Sequence, residues 1–365
     1  MTENNRKNKI IVGLSGGVDS SVAAMLLKEK GYEVEALFMK NWNDQTEDGK
    51  CLWEDDVEDA MQVCDKLSIK LNTVDLSKDY WEKVFKNFLN EYKNGRTPNP
   101  DVLCNKEIKF KAFLEYAENL GAEKIATGHY ACKTMNGDSV QLLKSIDNNK
   151  DQSYFLCCLN QNQLNKTLFP IGNLRKKDVR NLAKKARLIT HDKKDSTGIC
   201  FIGEQPFKNF LSNFIQSEKG LIKTVDGKSI GEHDGTFFYT IGQRQGLGIG
   251  GVKNATDAPW YIVKKNTDVN ELIVAQDHDH PFLHSKNLIV LDINWISGKM
   301  PLLPLKCKAK CRYRQSDQKC TVYPGKNNGF VVKFEFSQRA VAPGQYIVFY
   351  NKNECLGGGI IDSTY

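Results

Sequence analysis

Small residues and three hydroxyl groups form the strongest chemical signal in the chain, the stretch Ser15-Gly-Gly-Val-Asp-Ser-Ser21. It follows the apolar run Ile10–Leu14 and precedes apolar residues at helical spacing. Glycines let the backbone approach a phosphate closely, and hydroxyl and helix N-terminal N–H groups can bind its oxygens. Asp19 could hold a metal or orient the turn. The stretch predicts a phosphate-binding loop, with a turn that merely caps a helix as the alternative.

Two other kinds of nucleotide loop are excluded by the residues. No Gly-Lys-Ser/Thr closes the first stretch, and Gly227-Lys-Ser229 fails as a Walker A loop because Ile222 stands where that motif needs glycine. The stretch Gly246–Gly251 matches G-x-G-x-x-G, but no helical pattern follows it. It therefore indicates a glycine-rich β loop rather than a dinucleotide site.

A cysteine with charged neighbours lies in the stretch Thr97-Pro-Asn-Pro-Asp-Val-Leu-Cys-Asn-Lys106. The prolines favour an extended loop, and a helical pattern that starts near Asn105 would place Cys104 beside a helix N-terminus. The helix dipole and the nearby lysines would favour the thiolate, which is the nucleophilic form. Asp101 could exchange protons at the same site. The alternative is a cysteine buried as an apolar group.

A second cysteine of interest, Cys200, lies between two glycines in Asp195-Ser-Thr-Gly-Ile-Cys-Phe-Ile-Gly203, where backbone freedom could let a loop carry a sulfur atom. Its apolar neighbours on their own favour a core cysteine. The other nine cysteines are interpreted as structural. They form no C-x-x-C pair, because Cys157-Cys158 are adjacent and Cys307 and Cys311 are four apart. Neither zinc nor an iron–sulfur cluster is expected.

The stretch Leu305-Lys-Cys-Lys-Ala-Lys-Cys-Arg-Tyr-Arg314 alternates strictly between cationic and less polar residues. As a strand it would place five cations on one face and Tyr313 on the other, which favours contact with RNA phosphate. Lysines that protect a sheet edge are the alternative. The segment 174–187, with seven Lys/Arg against one Asp, fits a second phosphate track or a solvated helix face equally well.

The elements that must position these residues change along the chain. Up to about residue 205, strand patterns at 10–14, 34–39, 71–76 and 125–127 alternate with helical patterns. This predicts an α/β domain with a doubly wound, mainly parallel sheet, whose ligands bind at the carboxyl ends of the strands. After that, short strand patterns dominate, at 236–241, 259–264, 271–275, 287–293, 330–336 and 345–350. The predicted domains are 1–205 for ATP binding and catalysis, 206–284 as a small central domain, and 285–365 as a C-terminal β barrel.

Composition sets broader limits. With 365 residues, 40% hydrophobic and 26% charged, the chain has the composition of a soluble globular protein. Residues 301–365 carry ten Lys/Arg against four Asp/Glu and so supply most of the net charge of +7, which indicates a polyanionic partner or a solubilising surface. No secretory pattern and no membrane-spanning run are found, so we expect a cytoplasmic protein whose 11 cysteines are not disulfide staples.

Together these features resemble one family, the bacterial tRNA-specific 2-thiouridylases of the PP-loop ATP pyrophosphatase superfamily. The resemblance runs over nearly the whole chain and is carried by Gly13–Ser21, Met39, Asn99–Asp101 with Cys104, Gly128–Tyr130, Lys150–Phe155, Gly198–Phe201, Tyr239–Leu247, Arg312–Arg314 and Ala342–Gln345. It implies an adenine nucleotide alpha hydrolase-like fold. The implied enzyme is a tRNA-uridine 2-sulfurtransferase of EC class 2.8.1, which acts on the wobble uridine of tRNAs for Lys, Glu and Gln.

The resemblance also implies a role for each matching residue. Cys200 would carry the sulfur as a persulfide, and Cys104 would be the catalytic nucleophile, with Asp101 beside it. ATP, with Mg²⁺, would be held by Gly13, Leu14, Ser15, Gly16, Gly17, Val18, Asp19, Ser20, Met39 and Gly128. The tRNA contacts would be Asn99, Pro100, Asp101, His129, Lys150, Asp151, Gln152, Arg312, Tyr313 and Gln345. No sulfur-generating domain is visible, so the sulfur would come from a partner, a cysteine desulfurase or a relay carrier.

The chemistry leaves two routes open. Adenylation of the uridine O2 would create a leaving group, and either the persulfide attacks C2 directly or Cys104 first releases hydrosulfide. Two other functions remain as alternatives. A PP-loop ligase acting on a small substrate would leave the cysteine motifs unexplained, and a non-catalytic RNA-binding adaptor would not need the Ser15–Ser21 loop.

Overall fold

The computed structural model describes residues 8–43, 51, 53–195, 207–252 and 255–365. Its strands, in chain order, are β1 (Lys9–Gly13), β2 (Glu33–Lys40), β3 (Lys70–Asp75), β4 (Lys124–Ala126), β5 (Ala131–Asn136), β6 (Ser139–Lys144), β7 (Thr167–Leu168), β8 (Gly220–Thr224), β9 (Ser229–His233), β10 (Trp260–Asn266), β11 (Glu271–Gln276), β12 (His284–Trp295), β13 (Leu305–Lys310), β14 (Gln318–Pro324), β15 (Phe330–Arg339), β16 (Tyr346–Asn351) and β17 (Glu354–Thr364).

The α-helices are α1 (Val18–Glu29), α2 (Glu54–Leu67), α3 (Ser77–Tyr80), α4 (Lys86–Lys93), α5 (Pro100–Cys104), α6 (Phe113–Asn119), α7 (Gln161–Asn165), α8 (Lys176–Lys185) and α9 (Phe207–Ser212). Two π-helical segments, Trp81–Phe85 and Asn105–Ala112, join α3 to α4 and α5 to α6 without a break. No helix in the described part of the chain has both the length and the apolar character of a membrane span.

The N-terminal sheet is parallel and has the strand order β3-β2-β1-β4-β7. Ile10, Ile11 and Val12 of β1 are all buried, as expected for a central strand covered on both faces. Ile10 and Val12 pack with residues of α1 and α8, and Ile11 packs with α6 on the opposite face. The doubly wound, mainly parallel sheet predicted from the sequence is therefore confirmed.

The regions beyond this sheet are mostly β structure. Strands β8 to β11 form a separate sheet in the order β10-β11-β8-β9. Strands β12 to β17 form a six-stranded barrel, which the antiparallel pairing of β12 with β17 closes. The hairpin of β5 and β6, from the N-terminal part of the chain, adds to the same sheet through the pairs Leu143–Glu354 and Leu142–Cys355. The predicted C-terminal barrel is thus present.

Three local predictions are wrong. The helix expected to start near Asn105 begins at Pro100, because the Asn99 side chain caps it by accepting from the Val102 amide at 3.3 Å. Residues 236–241 form no strand and instead contain a single helical turn, Thr236–Phe238. The basic strand ends at Lys310, so Arg312 and Arg314 lie in the turn that follows it.

Candidate active site

The phosphate-binding loop lies at the carboxyl end of β1, as the sequence predicts. The Leu14 amide donates to the Leu37 carbonyl at 3.0 Å, and Gly17 then precedes α1 as its N-cap residue, without a side-chain cap. The Ser20 and Ser21 hydroxyls donate to the Gly17 carbonyl at 3.1 and 2.8 Å. The N-terminal amides of α1 are therefore not capped by a side chain, which is the arrangement that binds a phosphate group.

Residues from three strands meet at this loop. A Cβ atom on Gly128, just after β4, would lie 2.6 Å from the Ser20 nitrogen, so only glycine allows this close approach. A Cβ atom on Gly13 would lie 3.4 Å from the Met39 methyl group at the end of β2. The predicted ATP residues thus come together at one edge of the sheet. Their binding of ATP stays a prediction.

Asp19, in the first turn of α1, lies in a network of charges. The Lys176 ammonium donates to its two carboxylate oxygens at 2.8 and 2.7 Å, and the Tyr130 hydroxyl donates to it at 2.7 Å. Lys176 also pairs with Asp195 at 2.7 Å. Burial, followed by the Asp19 charge, raises the pKa of Tyr130 well above its usual range. Tyr130 is therefore a constant hydrogen-bond donor to Asp19.

Asp195 forms ion pairs with three cations. Lys150 lies at 2.6 Å and Arg180 at 2.9 Å, in addition to Lys176. Burial alone would raise the pKa of Asp195, but hydrogen bonds from Lys150 and Lys176 outweigh it and lower the pKa to about 2. The carboxylate is therefore ionised throughout the physiological range. No role was predicted from the sequence for Lys176, Arg180 or Tyr130: Tyr130 appeared only in the stretch Gly128–Tyr130, and Lys176 and Arg180 only in the basic segment 174–187.

Cys104 is completely buried, with no exposed surface. It is the last residue of α5 and packs in an apolar cluster with Tyr80, Phe88 and Ile108. Since the helix starts at Pro100, its N-terminal dipole favours negative charge at Asp101 rather than at Cys104. The expectation of a cysteine at a helix N-terminus is therefore wrong. Cys200, the predicted sulfur carrier, lies in residues 196–206, outside the described residues.

The predicted RNA contacts 150–152 are held by internal bonds. Asp151 is buried and accepts hydrogen bonds from the Ser145 and Ser153 amides and the Ser153 hydroxyl. The Gln152 side chain accepts from the Tyr130 amide at 2.9 Å. Direct contact of Asp151 with RNA, which stays a prediction, would require these internal bonds to break.

His129, the next predicted contact, is neutral. Its Nδ1 lies 2.9 Å from the Thr127 hydroxyl, and its ring packs 5.4 Å from that of Phe110. Burial and the nearby Lys109 charge lower its pKa to about 3. Contact with RNA at this position would therefore be a neutral hydrogen bond or ring packing.

Arg312 and Gln345 line a cleft of about 410 Å³ where the three regions of the chain meet. Gln345 donates to the Thr97 and Pro98 carbonyls at 2.8 and 3.1 Å and so fixes the residues that precede Asn99. The central region contributes Thr240, Ile241, Gly242 and Gln243 to the same wall. The cleft adjoins the stretch 97–100 and does not reach the phosphate-binding loop.

Tyr313 lies outside this cleft and is partly buried. Its ring packs 4.5 Å from that of Phe155, and burial raises its pKa to about 12. The basic strand beside it is less cationic than expected. Lys306 and Lys308 are exposed, but Lys310 is largely buried and lies 3.9 Å from Asp317. Lys306 and Lys308 are thus the exposed cations of β13 itself, whereas the exposed Arg312 and Arg314 belong to the turn that follows it.

Among the described residues, no group of three or more His, Cys, Asp or Glu side chains is arranged to hold a metal ion. Three family models match consecutive parts of the chain: a tRNA methyl transferase HUP domain over residues 8–204, a tRNA methyl transferase PRC-barrel domain over 208–276, and an aminomethyltransferase beta-barrel domain over 285–361.

Curated relatives extend over almost the entire chain. The tRNA-specific 2-thiouridylase MnmA of Legionella pneumophila (strain Lens) is 57% identical over 98% of this chain and 99% of its own length. This chain belongs to the tRNA-specific 2-thiouridylase MnmA family. The MnmA protein of Francisella philomiragia subsp. philomiragia is 54% identical over 98% of this chain and 99% of its own length. The family predicted from the sequence is therefore confirmed.

One solved structure is similar to part of this MnmA family member. The U34-tRNA thiolase NcsA from Methanococcus maripaludis, solved with its 4Fe–4S cluster, is 20% identical and covers 58% of this chain and 66% of that chain, with a TM-score of 0.36.

Proposed function

We propose that this protein replaces the 2-oxygen of a tRNA uridine with sulfur at the expense of ATP. One observation carries the proposal: relatives that are 54–57% identical over 97–98% of the chain are named tRNA-specific 2-thiouridylase. The phosphate-binding loop supports it, because it brings uncapped helix amides, hydroxyl groups and close glycines to one edge of a parallel sheet.

The first step activates the base. The uridine O2 attacks the α-phosphate of ATP, a P–O bond forms, and pyrophosphate leaves. The loop 13–20, Met39 and Gly128 would hold the nucleotide. Both carboxylate oxygens of Asp19 accept from Lys176, so Mg²⁺ bound at Asp19 would have to compete with this cation. We therefore propose that Mg²⁺ arrives on the phosphates of the nucleotide.

The second step delivers the sulfur from a persulfide on Cys200. In one route the terminal sulfur attacks C2, AMP leaves with the former O2, and Cys104 then attacks the Cys200 sulfur. In the other, Cys104 first releases hydrosulfide, which attacks C2. Both routes end with a Cys104–Cys200 disulfide, so a thiol reductant must supply two electrons per turnover. Because Cys104 is fully buried, either route requires it to become uncovered.

The substrate is proposed to be the wobble uridine of tRNAs for Lys, Glu and Gln, in the cytoplasm. The cleft with Arg312 and Gln345, which fixes the stretch 97–98, is the proposed place where RNA meets Asn99–Asp101. A cysteine desulfurase or a relay carrier would load Cys200.

The deciding experiment incubates the protein with ATP, Mg²⁺, a persulfide donor and unmodified tRNA, followed by mass analysis of the nucleosides. We expect 2-thiouridine at the wobble position, together with AMP and pyrophosphate. A methylated nucleoside instead would identify a methyltransferase. Pyrophosphate release that needs no tRNA would identify a ligase for a small substrate. Either result contradicts the proposal.

A further inference from the structure

Two of the predicted tRNA-contacting segments, 150–152 and 312–313, are neighbours in space although they are far apart in the sequence. Residues 312–313 belong to the turn between β13 and β14, and residues 150–152 lie in the loop that follows β6. The Tyr313 ring packs 4.5 Å from that of Phe155, which follows this loop closely. A single tRNA could meet both segments only if the turn is fixed relative to the loop.

A salt bridge joins the other end of this turn to β6. The Lys144 ammonium donates to both carboxylate oxygens of Asp317 at 2.7 and 2.6 Å, and the two side chains are only 13% and 17% exposed. Lys144 is the last residue of β6, and Asp317 is the last residue before β14. The bridge therefore spans the contact between the hairpin of β5 and β6 and the barrel.

The same lysine is linked to the other predicted segment through its neighbours. Its ammonium lies 4.2 Å from the centre of the Tyr350 ring, and the Tyr350 hydroxyl lies 3.3 Å from the Ser153 hydroxyl. The amide of Ser145, the next residue in the chain, donates to Asp151 at 3.1 Å. Lys144 is therefore connected to both segments, directly on one side and through one residue on the other.

Stability alone does not explain a largely buried salt bridge at this position. Taking two charges out of water costs free energy that their attraction only about offsets, and apolar pairs of similar volume are often as stable. An ion pair with two hydrogen bonds adds a fixed geometry, because the ammonium must stay within bonding distance of both oxygens. Such a pair is suited to hold a turn in one orientation.

We propose that Lys144 and Asp317 are positioning residues for tRNA binding. Their salt bridge holds the turn after β13 so that Arg312 and Tyr313 meet the same tRNA as the loop 150–152. This rests on the proposed function. The bridge itself need not touch the RNA, since each of its side chains is largely buried and is bonded to the other.

The test uses the double variant Lys144→Met/Asp317→Leu, which replaces the salt bridge with an apolar pair. We expect thermal unfolding close to that of the wild type, because an apolar pair can replace a buried ion pair without loss. The affinity for unmodified tRNA, measured by fluorescence anisotropy, should fall about tenfold because the turn is no longer fixed. The affinity for ATP, measured by calorimetry, should stay within about twofold. Lys144→Arg, which keeps the charge and the donors, should bind tRNA like the wild type.

The single variant Asp317→Asn separates positioning from direct contact. It removes a negative charge close to the predicted RNA surface, so electrostatics alone predicts stronger tRNA binding. If the bridge positions the turn, tRNA binding instead weakens by about threefold or more, because the amide forms no charge-assisted bonds with Lys144 on both sides. Stronger binding would assign Lys144 to a direct phosphate contact and would overturn the inference.

The matched control is Lys223→Met/Glu271→Leu, which removes a partly buried salt bridge between neighbouring strands of the central sheet. We expect it to leave tRNA affinity unchanged. Wild-type tRNA affinity in Lys144→Met/Asp317→Leu, or an equal loss of ATP affinity, would overturn the inference. A wild-type protein that binds no tRNA would instead overturn the proposed function.

Discussion

The phosphate-binding loop and α5, the helix that ends at Cys104, both take part in the proposed reaction, yet they are built in opposite ways. The loop is made of backbone: uncapped amides of α1 and glycines that come close to neighbouring strands, with Ser15 exposed to solvent. The Cys104 sulfur is enclosed by an apolar cluster and has no exposed surface.

This difference indicates which part of the protein must rearrange during turnover. A backbone loop at a sheet edge is ready for its ligand, because rigid strands and a buried helix hold it. A sealed thiol cannot react until its surroundings are displaced, because neither a reagent nor a substrate can reach it. We therefore expect nucleotide binding to need little rearrangement and sulfur transfer to need more.

The largest expected effect comes from the two cysteines. Cys200→Ser and Cys104→Ser should each abolish 2-thiouridine formation, because one carries the sulfur and the other completes the disulfide. Cys200→Ser should still bind ATP and tRNA like the wild type. The measurement is nucleoside mass analysis after reaction with a persulfide donor. Cys132→Ser, which alters a half-buried cysteine at the start of β5, is the control and should stay active.

The reactivity of Cys104 tests whether the residues that enclose it move apart. Alkylation of Cys104 by iodoacetamide, followed by peptide mass analysis, should be slow in the free protein and faster when ATP and tRNA are present. Fast alkylation of Cys104 in the free protein would contradict the conclusion that this thiol is sealed while the phosphate-binding loop is open.

A smaller effect is expected at Gly128. In Gly128→Ala the added methyl group would lie 2.6 Å from the Ser20 nitrogen, so α1 or the loop after β4 must shift. We expect ATP affinity to fall about tenfold or more and the free energy of unfolding to fall by about 1–3 kcal/mol. Gly250→Ala, where an added Cβ meets nothing within 4 Å, serves as the control. Normal ATP binding by Gly128→Ala would show that the loop is more adaptable than its packing indicates.

The two exposed lysines of β13 should have a moderate effect. Lys306→Gln/Lys308→Gln should weaken tRNA binding and reduce the slope of log affinity against log salt concentration by about 0.7 to 0.9 for each phosphate that a lysine no longer neutralises. Titrations of tRNA at several salt concentrations measure this. Lys264→Gln, an exposed lysine of the central sheet, should leave the slope unchanged. An unaltered slope in the double variant would remove β13 from the RNA-binding surface.

The smallest effect concerns stability and pH at His129, next to Gly128. Its pKa is about 3 in the folded protein, below its usual value near 6.5, so the unfolded chain binds more protons. The stabilisation is complete above pH 6.5 and is lost as the pH falls toward 3, by at most about 1.4 kcal/mol per pH unit. Thermal unfolding of the wild type and of His129→Asn at pH 7 and pH 5 should show their difference shifting against the wild type at pH 5. A constant difference contradicts a half-buried histidine that stays neutral in the folded protein.

How well each region could be predicted from the sequence depends on whether neighbouring or distant residues determine its structure. The strand before Gly13, the turn at Gly16 and the helix after Gly17 depend on local backbone preferences, which neighbouring residues specify. The positive φ of Gly16, +69°, is a conformation that its residue type reveals directly. These features and four strands of the parallel sheet could be predicted, whereas the short edge strand β7 was missed.

Other features depended on partners that are distant in sequence. Two prolines made 97–100 read as an extended loop, but a proline is also favoured in the first turn of a helix, and Asn99 supplied the cap. Period-2 alternation gave the correct faces for Lys306 and Lys308. It could not show that Lys310 lies near Asp317, which pairs with Lys144, or where the strand would end. Nor could any local pattern show that Lys176 reaches Asp19.

The hairpin of β5 and β6 makes the barrel and the nucleotide-binding sheet parts of one folding unit. Its chain connects directly to β4, while its edge is bonded to β17 near the end of the sequence, and one apolar core runs from Ile11 through Leu142 to Val348. A fragment ending near residue 205 would leave one edge of β6 without its partner strand and the barrel-facing side of that core exposed to water. Dissection at the sequence boundaries would thus yield pieces prone to aggregate, so each activity is best separated by substitution in the intact chain.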